Sequence, residues 1–113
     1  MSTDFDSYDA MLESVRAFHT KHRFKETGGE EMIYRVALMA EELGEISACV
    51  TKGKSRAELA EEVADLLILA LGTAIAQEFD LKEAFWNKMA KLDQRKSRMI
   101  DGRTRVSNFG NSD

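Results

Sequence analysis

The chain has 113 residues, of which 43% are apolar, and a formal net charge of −4. This length suits one domain, and this apolar share is enough for a folded core, which argues against a disordered chain. The single cysteine, Cys49, excludes a disulfide framework and a cysteine-based zinc site. The absence of proline favours long helices over folds rich in strands or loops.

The sequence contains no sign of membrane insertion or export. No apolar run approaches the roughly 18 residues that a membrane-spanning helix needs. The N-terminal segment MSTDFDSYDAML is acidic and lacks the charged and apolar regions of a signal peptide. We therefore expect a cytoplasmic protein with no membrane contact.

The charges are unevenly distributed along the chain. Residues 1–81 contain 16 acidic and 8 basic residues, whereas residues 82–105 contain 3 acidic and 8 basic ones. Either these are ordinary solvated helix faces, or one site uses both signs of charge. We expect no nucleic acid partner, because acidic residues interrupt the basic segment and the whole chain is acidic.

The spacing of apolar residues predicts four helices, each with a start or stop signal. In chain order they cover about residues 7–24, 30–51, 55–79 and 80–99. The third helix opens with a capping box, in which Ser55 is the cap and Glu58 follows three residues later. Asp101 and Gly102 are expected to end the fourth helix.

Short connections between these helices favour antiparallel neighbours. We therefore predict an all-α fold: a four-helix bundle-like subunit whose second and third helices form an antiparallel central hairpin. A domain of this size buries only about two-thirds of its unfolded surface, so we expect oligomerisation to complete it. Residues 1–102 are predicted to form the single domain, and residues 103–113 a flexible polar tail.

Two clusters of acidic residues lie on the central helices: Glu41, Glu42 and Glu45 on one, and Glu61, Glu62 and Asp65 on the other. Glu42 and Glu45 are three residues apart and share a helix face, as do Glu62 and Asp65. The turn between the two central helices centres on Gly53 and Lys54. Glu45 and Glu62 are equally far from this turn along the sequence, so an antiparallel hairpin places them at the same height along the helix axes. The same holds for Glu42 and Asp65.

Four carboxylates that converge at a partly buried seam are either partly protonated or neutralised by cations. The alternative is a set of scattered surface acids. Oxygen ligands alone favour Mg²⁺ or Mn²⁺ over zinc. A di-iron bundle would need Glu-x-x-His motifs, and neither His19 nor His22 supplies one.

The pattern Glu-Glu-x-x-Glu, sixteen residues, Glu-x-x-Asp lies within ALMAEELGEISACVTKGKSRAELAEEVADLLILAL. This segment resembles the MazG-like all-α nucleoside triphosphate pyrophosphohydrolases, and the resemblance extends from about Val15 to Arg98. It implies Mg²⁺-dependent hydrolysis of (d)NTPs to monophosphate and pyrophosphate, which removes surplus or non-standard nucleotides, by a homodimer or homotetramer. It also implies four metal ligands: Glu42, Glu45, Glu62 and Asp65. Glu41 and Glu42 are the implied catalytic residues, with Glu41 binding a further metal or orienting the attacking water.

The fourth predicted helix places Lys88, Lys91 and Arg95 on one face, with Asn87 at its edge. The family has a similar Asn-Lys-Met, Leu and Arg pattern on its last helix, which implies that all four residues approach the phosphates. Solvent-facing lysines are the alternative.

The resemblance also implies that the end of the first helix covers the nucleobase, which favours His22 and Phe24 as base-binding residues. A histidine at a helix end is alternatively a C-terminal cap, and an aromatic residue at helical spacing is alternatively part of the core.

Two other functions remain open on the sequence. One is phosphoribosyl-ATP pyrophosphohydrolase of histidine biosynthesis, which has a similar carboxylate frame. That group usually has a Tyr-His pair soon after the aspartate, whereas LLILALG follows Asp65 here. The other is a non-enzymatic helical interaction module, although such a module has no need of four acids at one level.

Overall fold

The computed structural model describes residues 7–107, which form five helices and one two-stranded antiparallel sheet. In chain order the elements are α1 (Tyr8–Lys21), α2 (Phe24–Thr27), α3 (Met32–Thr51), α4 (Arg56–Gln77), α5 (Leu81–Asp93), β1 (Lys96–Ile100) and β2 (Arg103–Ser107). The structure is 72% helical, so the predicted all-α class is confirmed. Among the described residues, no helix is long and apolar enough to cross a membrane.

The chain divides into two compact units, the first ending at Phe79 and the second beginning at Asp80. The first unit contains α1 to α4, and the second contains α5 and both strands. The second unit begins with a helix cap, because the Asp80 carboxylate accepts a hydrogen bond from the Glu83 amide at 2.9 Å.

The first predicted helix is divided in two. α1 ends at Lys21, and Arg23 then takes a left-handed conformation with φ of 54° before the short α2 begins. Gly28, with φ of 91°, ends α2. This break keeps α1 from extending to Phe24, where the apolar spacing alone places its end.

α3 and α4 pack side by side as the predicted helical hairpin. Gly53 closes α3 in a left-handed conformation with φ of 62°, which glycine adopts without strain. The Lys54 amide donates to the Cys49 carbonyl at 2.9 Å, which completes a Schellman motif. α4 then begins at the predicted capping box, in which Ser55 and Glu58 each accept from the other's amide at 3.1 Å.

The core of the first unit lies among α1, α3 and α4. Its fully buried apolar side chains, within residues 7–79, are Val15, Cys49, Leu71 and Ala74. His19 and Arg35 are buried beside them. Many larger apolar side chains remain exposed, so the packing within this unit leaves much of its apolar surface in contact with solvent.

The fourth predicted helix is too long. α5 ends at Asp93, and the segment expected to continue the helix to Met99 forms β1 instead. Asp101 and Gly102 both have positive φ, 52° and 77°, which is the geometry of a two-residue β-hairpin turn rather than a helix end. The predicted helix to Met99 is therefore wrong here, and charged and uncharged residues alternate on both sides of the turn as they do in strands.

The predicted boundary at residue 102 falls in the turn of this β-hairpin. Residues 103–107, assigned from the sequence to the flexible tail, form β2 and pair with β1. The rest of that predicted tail, residues 108–113, lies outside the described residues.

Candidate active site

Three carboxylates meet across the helical hairpin of the first unit. Glu42 comes from α3, and Glu62 and Asp65 come from α4. Each offers one oxygen atom, and these three atoms lie within 4.8 Å of one another. All three residues are half-buried. This arrangement matches the spacing over which carboxylates share one cation.

The position of the turn explains this meeting. Glu42 and Asp65 are equally far from the Gly53–Lys54 turn, so the two helices bring them to the same height. Glu62 lies one turn from Asp65 on the same face of α4 and joins them. The prediction that these carboxylates converge at a seam is confirmed for Glu42, Glu62 and Asp65.

The structure does not place every candidate acid in this cluster. Glu45, the fourth predicted ligand, is exposed on α3 and is not among the three gathered residues. Glu41, the predicted catalytic neighbour, is also exposed on α3, as is Glu61 on α4. The roles assigned to Glu45 and Glu41 stay predictions.

The surroundings of the Glu42 carboxyl group disfavour its charged form. Burial raises the pKa of its carboxyl group, and the neighbouring Glu62 and Asp65 raise it further. Its Oε1 atom is buried and has no hydrogen-bond partner within residues 7–107. An unsatisfied buried oxygen beside two further carboxylates is what a cation would satisfy. This donor set of oxygens alone fits a hard divalent ion such as Mg²⁺ or Mn²⁺.

A largely apolar cavity of about 710 Å³ adjoins these carboxylates. Glu42 and Asp65 line it, together with apolar side chains that include Met11 and Phe18 from α1 and Ile68 from α4. The apolar spacing predicted the helix α1 but not that part of its apolar face borders a cavity. A cavity of this size, apolar with polar groups at one side, is typical of a small-molecule site.

A family model for the MazG nucleotide pyrophosphohydrolase domain matches residues 32–100. The chain belongs to this family. No curated protein sequence and no solved structure gives a significant match to it. The match begins at the start of α3 and therefore includes all three gathered carboxylates of the MazG domain.

Aromatic side chains cluster where α1 meets α2, just before the matched part of the MazG domain. His22 is exposed and stacks on the half-buried Phe24, with ring centroids 5.9 Å apart. Phe18, which lines the large cavity, meets both rings edge-on at 4.9 and 5.3 Å. The two predicted base-binding residues are thus in contact with each other and with the cavity wall, and their role stays a prediction.

The predicted phosphate-binding residues lie in the second unit. Asn87, Lys88 and Lys91 are exposed on α5. Arg95 is half-buried and lies beyond the helix, between α5 and β1, so the predicted helix face shared by all three cations is wrong for Arg95. The helix stops because Gln94 caps it and the Arg95 amide donates to the Leu92 carbonyl at 3.0 Å.

Sequence reasoning missed a buried polar network at the other end of the α3–α4 seam. His19 Nδ1 and Glu30 Oε2 are 2.7 Å apart, and the guanidinium of Arg35 is buried nearby. Burial lowers the pKa of Arg35, and the charge of Glu30 opposes that effect. The available signal was a charged residue on α3 opposite a glycine, Gly72, on α4.

Proposed function

We propose that this MazG-family protein is a Mg²⁺-dependent nucleoside triphosphate pyrophosphohydrolase, which hydrolyses (d)NTPs to (d)NMP and pyrophosphate. The observation that carries the proposal is the cluster of Glu42, Glu62 and Asp65 with the unsatisfied Oε1 atom of Glu42. In this proposal, the cellular role of the activity is to remove surplus or non-standard nucleotides.

In this proposal Glu42, Glu62 and Asp65 hold the cation, and the nearby exposed Glu45 is a further ligand. When bound, Mg²⁺ neutralises part of the triphosphate charge and makes a coordinated water more acidic. Glu41 binds a further cation or orients the attacking water, and a carboxylate that is not occupied by the cation accepts the proton of this water. The oxygen of this water forms a bond to the α-phosphorus of the triphosphate. The bond between the α-phosphorus and the oxygen that bridges it to the β-phosphorus breaks, and pyrophosphate leaves.

The remaining predicted residues bind the rest of the nucleotide. We assign His22 and Phe24 to the base, because stacked rings beside an apolar cavity offer the flat surface that a base requires. We assign Asn87, Lys88, Lys91 and Arg95 to the phosphates, because their cations and amide are the groups that pair with phosphate oxygens.

We also propose that the active form is a homodimer or homotetramer. α3 presents an apolar row to solvent, in which Ile33 is 89% exposed, Leu43 61% and Val50 70%. At about 100° per residue, Leu43 and Val50 lie roughly 80–100° around α3 from Glu42, and Ile33 lies about 180° from it, so none of the three points in the direction of Glu42. A second copy that covers this row would bury the surplus apolar surface and leave the carboxylates free.

The test measures the products and the cation requirement together. The protein is incubated with each common NTP and dNTP, and with phosphoribosyl-ATP, in Mg²⁺, Mn²⁺ or EDTA, and ion-exchange chromatography separates the products. We expect equal amounts of monophosphate and pyrophosphate only when a cation is present. Release of orthophosphate would contradict the proposed bond cleavage, and exclusive cleavage of phosphoribosyl-ATP would identify the histidine-pathway enzyme instead.

Two neighbouring glutamates of α4 provide matched variants. Glu62→Gln removes a member of the cluster and should lower the rate by about 100-fold or more, because ligands of a catalytic cation are needed for its binding. Glu61→Gln makes the same chemical change at an exposed position outside the cluster and should leave the rate unchanged. Absence of cleavage of every nucleotide would favour the helical interaction module.

A further inference from the structure

Arg35 joins three parts of the first unit through one buried side chain. Only 2% of the residue is exposed. Its Nε donates to Thr73 Oγ1 at 3.1 Å, and its Nη2 donates to the Leu69 carbonyl at 2.9 Å, both on α4. Its Nη1 donates to the carbonyl of Gly29, before α3, at 3.0 Å. The planar guanidinium therefore holds α3 against α4 with a defined geometry.

Gly72 makes room for this guanidinium. A methyl group at position 72 would collide with Nη2 of Arg35 and with Nε2 of His19. α4 thus has a glycine at the point where α3 inserts its arginine, although glycine lowers the stability of a helix interior. The guanidinium fits at only one position along the axis of α4, because Gly72 is the one glycine of this helix.

This contact stands in a fixed relation to the carboxylates. Arg35 lies seven residues before Glu42 on α3, and Gly72 lies seven residues after Asp65 on α4. Seven residues are about two turns in each helix. The Arg35–Gly72 contact therefore occurs in the same alignment of α3 with α4 that places Glu42 level with Asp65.

The carboxylates cannot set this alignment by themselves. Like charges repel, so Glu42, Glu62 and Asp65 push α3 and α4 apart before a cation binds. Sliding one helix by one residue would shift its side chains by about 1.5 Å and rotate them by about 100°, which would take Glu42 out of the cluster. Attractive contacts elsewhere on the seam must oppose this movement.

We propose that Arg35 is a positioning residue for the carboxylate cluster: with Gly72 as its counterpart, it fixes the alignment of α3 and α4 in which Glu42, Glu62 and Asp65 bind one cation. This inference rests on the proposed cation-dependent function. Arg35 itself contacts neither the cation nor the nucleotide in this proposal.

The test compares Mn²⁺ affinity among folded variants of the full chain, measured by electron paramagnetic resonance of free Mn²⁺. We expect Arg35→Met to weaken Mn²⁺ binding by about 10-fold or more, the loss typical when support of metal ligands is removed. The Mn²⁺ affinity of Arg35→Lys should lie between that of the wild type and that of Arg35→Met, because lysine keeps the charge but cannot make three hydrogen bonds in a plane. Circular dichroism at the same temperature confirms that each variant is folded.

Ala74→Gly is the control for general loss of stability. Ala74 is buried on α4, and glycine there lowers the stability of the helix while leaving the Arg35 contacts in place. Its Mn²⁺ affinity should remain within twofold of the wild-type value. If Ala74→Gly loses as much affinity as Arg35→Met, or if Arg35→Met binds as the wild type does, the positioning role is wrong.

Two further outcomes separate the inference from the function on which it rests. If the wild type binds no Mn²⁺, the proposed function fails first and this inference fails with it. If Arg35→Met does not fold, Gly72→Ala decides, because it displaces the same guanidinium without removing it. Weaker Mn²⁺ binding by Gly72→Ala supports the inference, and unchanged binding overturns it.

Discussion

Glu42 and Asp65 face each other across the α3–α4 seam, with a carboxylate oxygen of each within 4.8 Å of the other. Glu62 joins them, so three negative charges are held together at a half-buried position. Such a cluster costs folding free energy in the absence of a cation, since burial and mutual repulsion both disfavour the charged forms. The carboxylate cluster therefore lowers the stability of the MazG domain at the position where we expect a cation to bind.

Glu42→Gln should separate these two effects. Glutamine removes a charge whose Oε1 atom has no partner, so we expect the melting temperature in EDTA at pH 7 to rise by a few degrees. We also expect Mg²⁺ to stabilise the wild type but not this variant. Thermal unfolding by circular dichroism, with EDTA and with Mg²⁺, measures both. A lower melting temperature in EDTA would mean that the Glu42 carboxylate is favourably paired, against this interpretation.

The capping box of α4 should make stability depend on pH. The hydrogen bond from the Ser55 amide, followed by that from its hydroxyl, lowers the pKa of Glu58 below 4.5. A lowered pKa means that the charged form is favoured by folding, so the stabilisation is present above pH 4.5 and is lost as the pH falls through the folded value. We expect Glu58→Gln to melt below the wild type at pH 7.

The difference between wild type and Glu58→Gln should disappear at low pH, where the glutamate is protonated. Glu61→Gln, an exposed glutamate of the same helix, gives the baseline for loss of one charge. Melting curves between pH 2.5 and 7, expected to converge as the pH falls below the folded pKa of Glu58, measure the effect. A constant difference across this range would show that the ionised cap contributes nothing.

Two glycines inside helices should respond oppositely to alanine. A Cβ atom at Gly44 of α3 meets nothing within 4 Å, so Gly44→Ala should stabilise the protein by up to about 1 kcal/mol. Gly72→Ala gains the same helix propensity but forces Arg35 and His19 to move, and should destabilise by about 1–3 kcal/mol. Urea unfolding followed by circular dichroism gives both values. Equal effects would mean that the space at Gly72 is not needed.

The helical hairpin and its acidic cluster were predictable because both depend on short-range signals. Gly53 and the Ser55 cap fix where α3 ends and α4 begins, and counting from that turn places Glu42 level with Asp65. Arg35 was not predictable in this way. An arginine on an amphipathic helix is usually solvated, and only the packed structure shows that Gly72 admits its guanidinium.

The β-hairpin of the second unit shows how one periodicity hides another. Lys88, Lys91 and Arg95 fit a helix face, which favours a helix that continues past Asp93. Beyond that point the side chains alternate with a period of two, and cross-strand pairing places Arg98 opposite Arg105 and Met99 opposite Thr104. Asp-Gly is a strong β-turn signal, but it also suits the end of a helix, so only the pairing decides between them.

Gly102 should be required for this β-hairpin. Its φ of 77° is strained for a β-branched residue, so Gly102→Val should destabilise the turn by about 1–2 kcal/mol. We expect amide protection against hydrogen exchange to fall across Lys96–Ile100 and Arg103–Ser107, with helical protection in α3 and α4 unchanged. Asp101→Asn keeps a residue that tolerates positive φ and should retain protection. Unchanged exchange in Gly102→Val would contradict the observed turn.

The apolar row of α3 leads to a prediction about assembly. Ile33, Leu43 and Val50 lie within an arc of about 100° around the helix and are more than half exposed, so Leu43→Glu should place a charge inside the proposed contact between copies. We expect the wild type to elute as a dimer or tetramer and Leu43→Glu as a monomer, measured by size-exclusion chromatography with light scattering. Lys54→Glu, an exposed charge change in the α3–α4 turn, should leave the assembly intact. A monomeric wild type at tens of micromolar would contradict the proposed contact and leave this row without a second copy to cover it.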